Sequence, residues 1–78
     1  MSNGFSDYYE CMNKSTFGTI LAKIRMSKNI SAYELSIKLE KDVTYISKIE
    51  NGKAFPSMEM FFKICTVLDI PPADILCN

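Results

Sequence analysis

The chain has 78 residues, 47% of them hydrophobic, with three glycines, three prolines and no histidine. That length allows a single domain burying roughly 60% of its extended surface, with enough apolar residues for a core and few turn formers, which fits a helical fold. Nine basic and nine acidic residues cancel to zero, and no run approaches the roughly eighteen apolar residues that mark a membrane span.

Residues 1–14 form an N-terminal extension, in which 1–4 are expected to be disordered. Phe5, Tyr8, Tyr9 and Met12 then recur at the spacing of one helical face, with Asp7 and Glu10 turned away, predicting a short extra helix. It either covers an edge of the domain or makes a dimer contact, where tyrosine and methionine are common. The domain proper occupies 15–78. Ser15 or Thr16 is the candidate cap of a helix running to about Lys28 with Phe17, Ile20, Leu21 and Ile24 inward. Asn29 follows as a left-handed residue at its end.

Ser31-Ala32-Tyr33-Glu34 fits the S-x-x-E capping box, in which serine and glutamate exchange hydrogen bonds with each other's backbone N–H. Behind it, Leu35, Ser36 and Leu39 make a narrow inward stripe with one small residue. Tyr33 and Ile37 are larger and more apolar than a solvent face needs, so each packs at an edge or belongs to a contact surface. Glu40-Lys41-Asp42 is too short for anything but a turn, with Asp42 as N-cap of a helix beginning at Val43. Placing Ile46 and Ile49 inward turns Thr44, Ser47, Lys48 and Asn51 outward together, with Val43 in the exposed first turn and Tyr45 on the flank.

Gly52 permits a left-handed turn, and Ser57 is the cap of the next helix. There Met58, Phe61, Phe62, Cys65 and Leu68 are expected to form the main core wall, with Ile64 beside them. Pro71 and Pro72 are tolerated at the start of a last short helix, whose Ile75 and Leu76 close the core.

The zero net charge conceals a pattern. Between Lys14 and Lys53 eight basic residues stand against four acidic ones, leaving +4, while 1–13 and 54–78 each carry −2. A basic middle between acidic ends suits one surface turned toward phosphates. Cys11, Cys65 and Cys77 are odd in number and lack CxxC spacing, too few ligands for zinc without histidine. Reduced thiols are expected, Cys65 in the core and Cys77 near a frayed end; the alternative is a redox-sensing thiol or an intermolecular disulfide at Cys11 or Cys77. Met1-Ser2-Asn3-Gly4 lacks the basic and apolar regions of a signal peptide, so a cytoplasmic location is expected.

Two short amphipathic helices and a tight turn across 31–53 are the pattern of a helix-turn-helix. Small Ser36, branched Ile46 and Ile49, and the run Ile46-Ser47-Lys48-Ile49-Glu50-Asn51-Gly52-Lys53 followed by Pro56-Ser57 resemble the lambda-repressor-like, Cro-type (Xre) helix-turn-helix family. Phe17-Gly18-x-Ile20 with Ile24-Arg25 resembles its first helix and Leu68-Asp69-Ile70-Pro71-Pro72-Ala73-Asp74-Ile75-Leu76 its closing one, so the resemblance covers 16–76. It implies an all-α, compact bundle of five short helices. The implied function is a sequence-specific transcriptional regulator that binds double-stranded DNA as a homodimer, inserting a recognition helix at about 43–51 into the major groove.

Under that resemblance Val43, Thr44, Ser47 and Lys48 are base-contact candidates. Lys48 can donate to guanine O6 or N7, Ser47 and Thr44 can bond either way, and the methyls of Val43 and Thr44 can meet a thymine methyl. Lys28, Ser31, Lys41, Tyr45, Asn51, Gly52 and Lys53 are phosphate-contact candidates, setting register without reading sequence. Arg25 and Glu50 occupy positions that pair in a structural salt bridge in the family.

Two residues depart from the family pattern. Ala32 stands where glutamine is frequent, and Glu40 where the turn usually has glycine, which requires either a left-handed glutamate at some cost or a re-routed turn. Glu40 and Asp42 also bring negative charge toward the DNA side. With exposed Tyr33 and Ile37 and the zero net charge, these support a competing reading: a protein-interaction module on the same fold, of antitoxin or anti-repressor type. No enzyme is expected, there being no histidine, no paired acid in a cleft and no glycine-rich phosphate loop; nor is a cofactor, a metal, a membrane or a small-molecule ligand.

Overall fold

The computed structural model describes residues 14–76, and among them are five helices: α1 (Lys14–Ser27), α2 (Ala32–Lys38), α3 (Tyr45–Glu50), α4 (Met58–Leu68) and α5 (Ala73–Leu76). The expected N-terminal helix with Phe5, Tyr8, Tyr9 and Met12 lies outside the described residues, as do Cys11, Cys77 and the side chain of Leu76. Among the described residues there is no strand, and no helix is long and apolar enough to cross a membrane. Lys14 is already helical, so Ser15 and Thr16 lie within α1 and not ahead of it.

Four helices stop by the same device. Asn29, Glu40, Gly52 and Asp69 each follow a helix with φ between 58° and 75°. In each case the left-handed residue donates its N–H to the carbonyl three residues back and the next residue donates to the carbonyl five back: Asn29 to Met26 and Ile30 to Arg25, Glu40 to Ile37 and Lys41 to Ser36, Gly52 to Ile49 and Lys53 to Lys48, Asp69 to Thr66 and Ile70 to Cys65. This paired Schellman pattern satisfies carbonyls that a helix end leaves open. Glu40 therefore accepts the left-handed conformation and the turn keeps its route.

The left-handed region costs a residue with a Cβ about 1–2 kcal/mol, and glycine loses roughly 0.5–1 kcal/mol more backbone entropy than alanine. Glu40→Gly is accordingly expected to stabilise the domain by about 0.5–1 kcal/mol, seen as a higher urea midpoint at unchanged slope. A lower midpoint would show that the Glu40 side chain contributes more than its backbone costs.

Helix starts follow local chemistry. Ser31 Oγ accepts the Glu34 N–H at 2.9 Å and Ser57 Oγ accepts the Met60 N–H at 3.2 Å. Only this half of the box at Ser31 is made.

The core comprises Phe17 and Leu21 of α1, Leu35 of α2 with Leu39 just beyond it, Ile46 and Ile49 of α3, Phe61, Ile64, Cys65 and Leu68 of α4, and Ile75 of α5. Met58 and Phe62, expected in the core wall, are instead exposed at 63% and 50%, and Ile64 takes the inward place. The reason is the aromatic cluster: Phe17 packs against Phe55 at 4.9 Å and Phe61 at 5.9 Å between ring centroids. With Phe61 drawn inward, the i, i+3, i+4, i+7 stripe becomes 61, 64, 65, 68, which rotates Phe62 outward. Burial pushes the Cys65 thiol up, assisted by Asp74, so this cysteine is a protonated core residue.

Candidate nucleic-acid interface

The prospective recognition helix is held from below. Ile46 and Ile49 have no exposed surface, while Val43, Thr44, Ser47 and Lys48 are all exposed. The two isoleucines face the core against α1 and α2, and the four remaining side chains share the outer side.

The helix itself begins later than its sequence pattern indicates, at Tyr45 instead of Val43. Asp42 caps the preceding turn: its carbonyl accepts the Tyr45 N–H at 2.9 Å, and its carboxylate accepts the Thr44 N–H at 3.0 Å and the Thr44 hydroxyl. An aspartate that bonds the backbone two residues ahead closes such a turn. The hydroxyl and then the N–H of Thr44 hold the Asp42 carboxyl below the ordinary aspartate range, so this tie is complete above that range and is lost as pH falls through the lowered value. It also engages the Thr44 proton. What Thr44 can still present outward is its methyl group and its oxygen lone pairs.

Around this face Lys41 Nζ lies 5.5 Å from the centre of the Tyr45 ring, a cation–π distance, and burial pushes the Tyr45 phenol up. At the other end of α3 the N–H groups of Asn51, Gly52 and Lys53 all bond back to helix carbonyls, those of Ser47, Ile49 and Lys48. These amides are spent within the helix stop, which leaves the exposed side chains of Asn51 and Lys53 as the polar groups available there. Lys28 and Ser31 are exposed on the α1–α2 connection, and among the described residues no hydrogen bond ties their side chains to the α3 group.

Two contacts fix α3 against α1. Arg25 grips Glu50 with two bonds, Nε to Oε2 at 2.6 Å and Nη2 to Oε1 at 3.0 Å, and donates Nη1 to the Ile30 carbonyl at 2.8 Å. Both side chains are nearly buried, and hydrogen bonding to Glu50 raises the Arg25 pKa against the effect of burial. The second contact is Gly18, where a Cβ would lie 2.5 Å from the Ile49 carbonyl oxygen and 2.7 Å from that of Glu50. Glycine lets the α1 and α3 backbones touch.

Sequence reasoning missed what Ser36 does. It reads as the one small residue of an inward stripe, but its Oγ donates to the Ala32 carbonyl at 2.9 Å and accepts the Ile46 N–H at 3.0 Å. A serine in an otherwise apolar inward stripe was the available signal.

A helix-turn-helix family profile matches residues 21–75. The chain belongs to the Xre-type, lambda-repressor-like helix-turn-helix family. It is 33% identical over 65 residues to the transcriptional regulator ClgR of Mycobacterium tuberculosis, covering 83% of this chain and 58% of ClgR, so the chain spans a little over half of that relative. It is 38% identical over 61 residues to the control protein C.BamHI of Bacillus amyloliquefaciens, covering 77% of this chain and 75% of that protein. The crystal structure of the restriction-modification controller protein C.AhdI from Aeromonas hydrophila superposes with a TM-score of 0.72 at 28% identity, covering 87% of this chain and 98% of the other.

Proposed function

We propose that this Xre-type chain is a cytoplasmic, sequence-specific transcriptional regulator that binds double-stranded DNA as a homodimer. The observation that carries the reading is the two-sidedness of α3 and the turn before it: Ile46 and Ile49 fully buried, and Val43, Thr44, Ser47 and Lys48 exposed at the front of a helix-turn-helix. Such a front suits a major groove, where the N-terminal residues of the second helix meet base edges. Lys48 would donate to guanine, Ser47 would bond to a base edge, and Val43 with the Thr44 methyl would meet thymine. Lys41, Lys53, Asn51 and Tyr45 would flank the groove as phosphate contacts, with Lys28 and Ser31 reaching the backbone beyond. One helix of this length reads only a few base pairs, so useful specificity calls for two half-sites about 34 Å apart.

The test is selection from a randomised duplex library at two salt concentrations. A two-fold symmetric sequence with affinity falling steeply in salt is the expected result. With that site in hand, Lys48→Ala is expected to relax preference at one base position, at a cost of about 1–3 kcal/mol on the selected site. Lys53→Ala is expected to weaken all sequences alike and lower the salt slope by roughly one. Equal effects of both variants on selected and random DNA would contradict these roles.

Tyr33 and Ile37, 62% and 50% exposed one turn apart on α2, favour a second reading in which a protein is the partner. Failure of folded protein to enrich any duplex, with Tyr33→Ala or Ile37→Ala abolishing capture of a protein ligand, would establish it.

A further inference from the structure

Among the described residues one buried side chain is polar, Ser36, which has no exposed surface. Its hydroxyl is used on both sides. The proton goes to the Ala32 carbonyl on the same helix, and this fixes the direction of the lone pair that receives the Ile46 N–H from α3. Ile46 is the second residue of α3, where an N–H has no carbonyl of its own helix to meet. The residue that caps α3, Thr44, makes no side-chain bond to the helix. So the start of α3 is tied to the rest of the domain through a neighbouring helix: α2 supplies, through one oxygen, the acceptor that the shorter element lacks.

The next two residues after Ile46 are Ser47 and Lys48. A bond at position 46 therefore constrains both the height of α3 along its axis and its rotation at the point from which the outward side chains emerge. Apolar packing of Ile46 and Ile49 holds the helix in place but is non-directional, whereas a hydrogen bond weakens steeply when it is bent.

We propose that Ser36 is a positioning residue for base readout, its hydroxyl setting the rotation of α3 so that Ser47 and Lys48 meet base edges in register. This rests on the DNA-binding reading above. It assigns Ser36 no contact with DNA and no part in phosphate binding, so discrimination between sequences depends on it while general attraction to DNA does not.

The experiment compares wild type with Ser36→Ala, which keeps the backbone and the Cβ and removes only the oxygen. Three quantities are read on protein shown to be folded: exchange of the Ile46 amide by NMR, affinity for the library-selected duplex against a random duplex of equal length, and the salt slope on each. The Ile46 amide is expected to exchange about tenfold faster relative to that of Ile49, as suits loss of one hydrogen bond. The preference for the selected duplex is expected to fall about tenfold, a fraction of what a misplaced bidentate base contact forfeits. Random-duplex affinity and the salt slope stay as in wild type, since no phosphate contact is lost. Selected and random affinities falling together, or a preference that survives alongside faster Ile46 exchange, would overturn the proposal.

Should Ser36→Ala not fold, semisynthetic protein with an ester in place of the Ile46 amide removes the donor instead; it is expected to show the same loss of preference, and retained preference overturns the proposal. A wild type that prefers no sequence defeats the DNA reading and this inference with it. In that event Ile46 exchange still distinguishes a wrong partner, with the tether present, from a tether that does not exist.

Discussion

Gly18→Ala is expected to lower stability by about 3 kcal/mol, the upper end of what overpacking a filled site costs. In an isolated helix the same change would be favourable by about 1 kcal/mol. The reversal comes from the surroundings, because the new methyl would sit 2.5 Å and 2.7 Å from two backbone carbonyl oxygens at the end of α3. Those carbonyls cannot step aside cheaply: that of Ile49 already accepts the Gly52 N–H at 3.1 Å within the helix stop. For a domain of this size the loss corresponds to a Tm lower by roughly 15 °C, measurable by circular dichroism. A Tm equal to wild type or above it would mean that α1 and α3 separate without penalty, and that the close approach is not what orders α3.

Glu50→Ala is the second large effect, with about 2 kcal/mol of stability lost. Removing one member of a buried ion pair costs about 3–5 kcal/mol, and here the value is reduced because Arg25 and Glu50 keep 13% and 12% of their side-chain surface in solvent. The loss reflects a guanidinium left in place with its remaining bond, to the Ile30 carbonyl. Replacing both partners by apolar groups, Arg25→Met with Glu50→Leu, is expected to recover most of it and come within about 1 kcal/mol of wild type. Urea denaturation of wild type, Arg25→Met, Glu50→Leu and the double variant completes the cycle, with Glu50→Ala measured beside them. A cost below about 0.5 kcal/mol for Glu50→Ala would class the pair with exposed surface bridges.

Much of this architecture is legible along the chain because its signals are local. Ser31 and Ser57 mark helix starts, Asn29 and Gly52 mark helix ends, and the inward spacing of Ile46 and Ile49 determines which neighbours turn outward. The left-handed glutamate was open because an unfavourable backbone conformation can be avoided by re-routing, and only the paired bonds to Ile37 and Ser36 show that it is not avoided. α4 misleads for a different reason. Phe61 and Phe62 are both apolar and periodicity alone places both inward with Met58, whereas only Phe61 packs against Phe17 and Phe62 is exposed.

The features that set the pose of α3 are the least legible. The Ser36 bond joins residues ten apart and the Gly18 contact residues more than thirty apart, and neither leaves a periodic trace. The Arg25–Glu50 pair was visible through family resemblance alone. Asp42 shows the limit of a capping rule: the side chain does close a turn, but it stands three residues ahead of Tyr45, where the helix begins.

At six residues α3 is too short to persist on its own, isolated helices below about 12–15 residues being marginal in water. Its shape is supplied by α1 and α2, so a synthetic peptide of residues 43–51 would carry every candidate base contact and read nothing. Were α1 and α2 to melt, α3 would not survive by itself. On the proposed function, occupancy of a DNA site would be coupled to the integrity of the whole domain, and a duplex held at a hundred times its dissociation constant would add about 2.7 kcal/mol to unfolding. Melting temperature thereby becomes a reporter of sequence: a panel of duplexes ranked by the shift each produces would rank them by affinity, without a label on either partner.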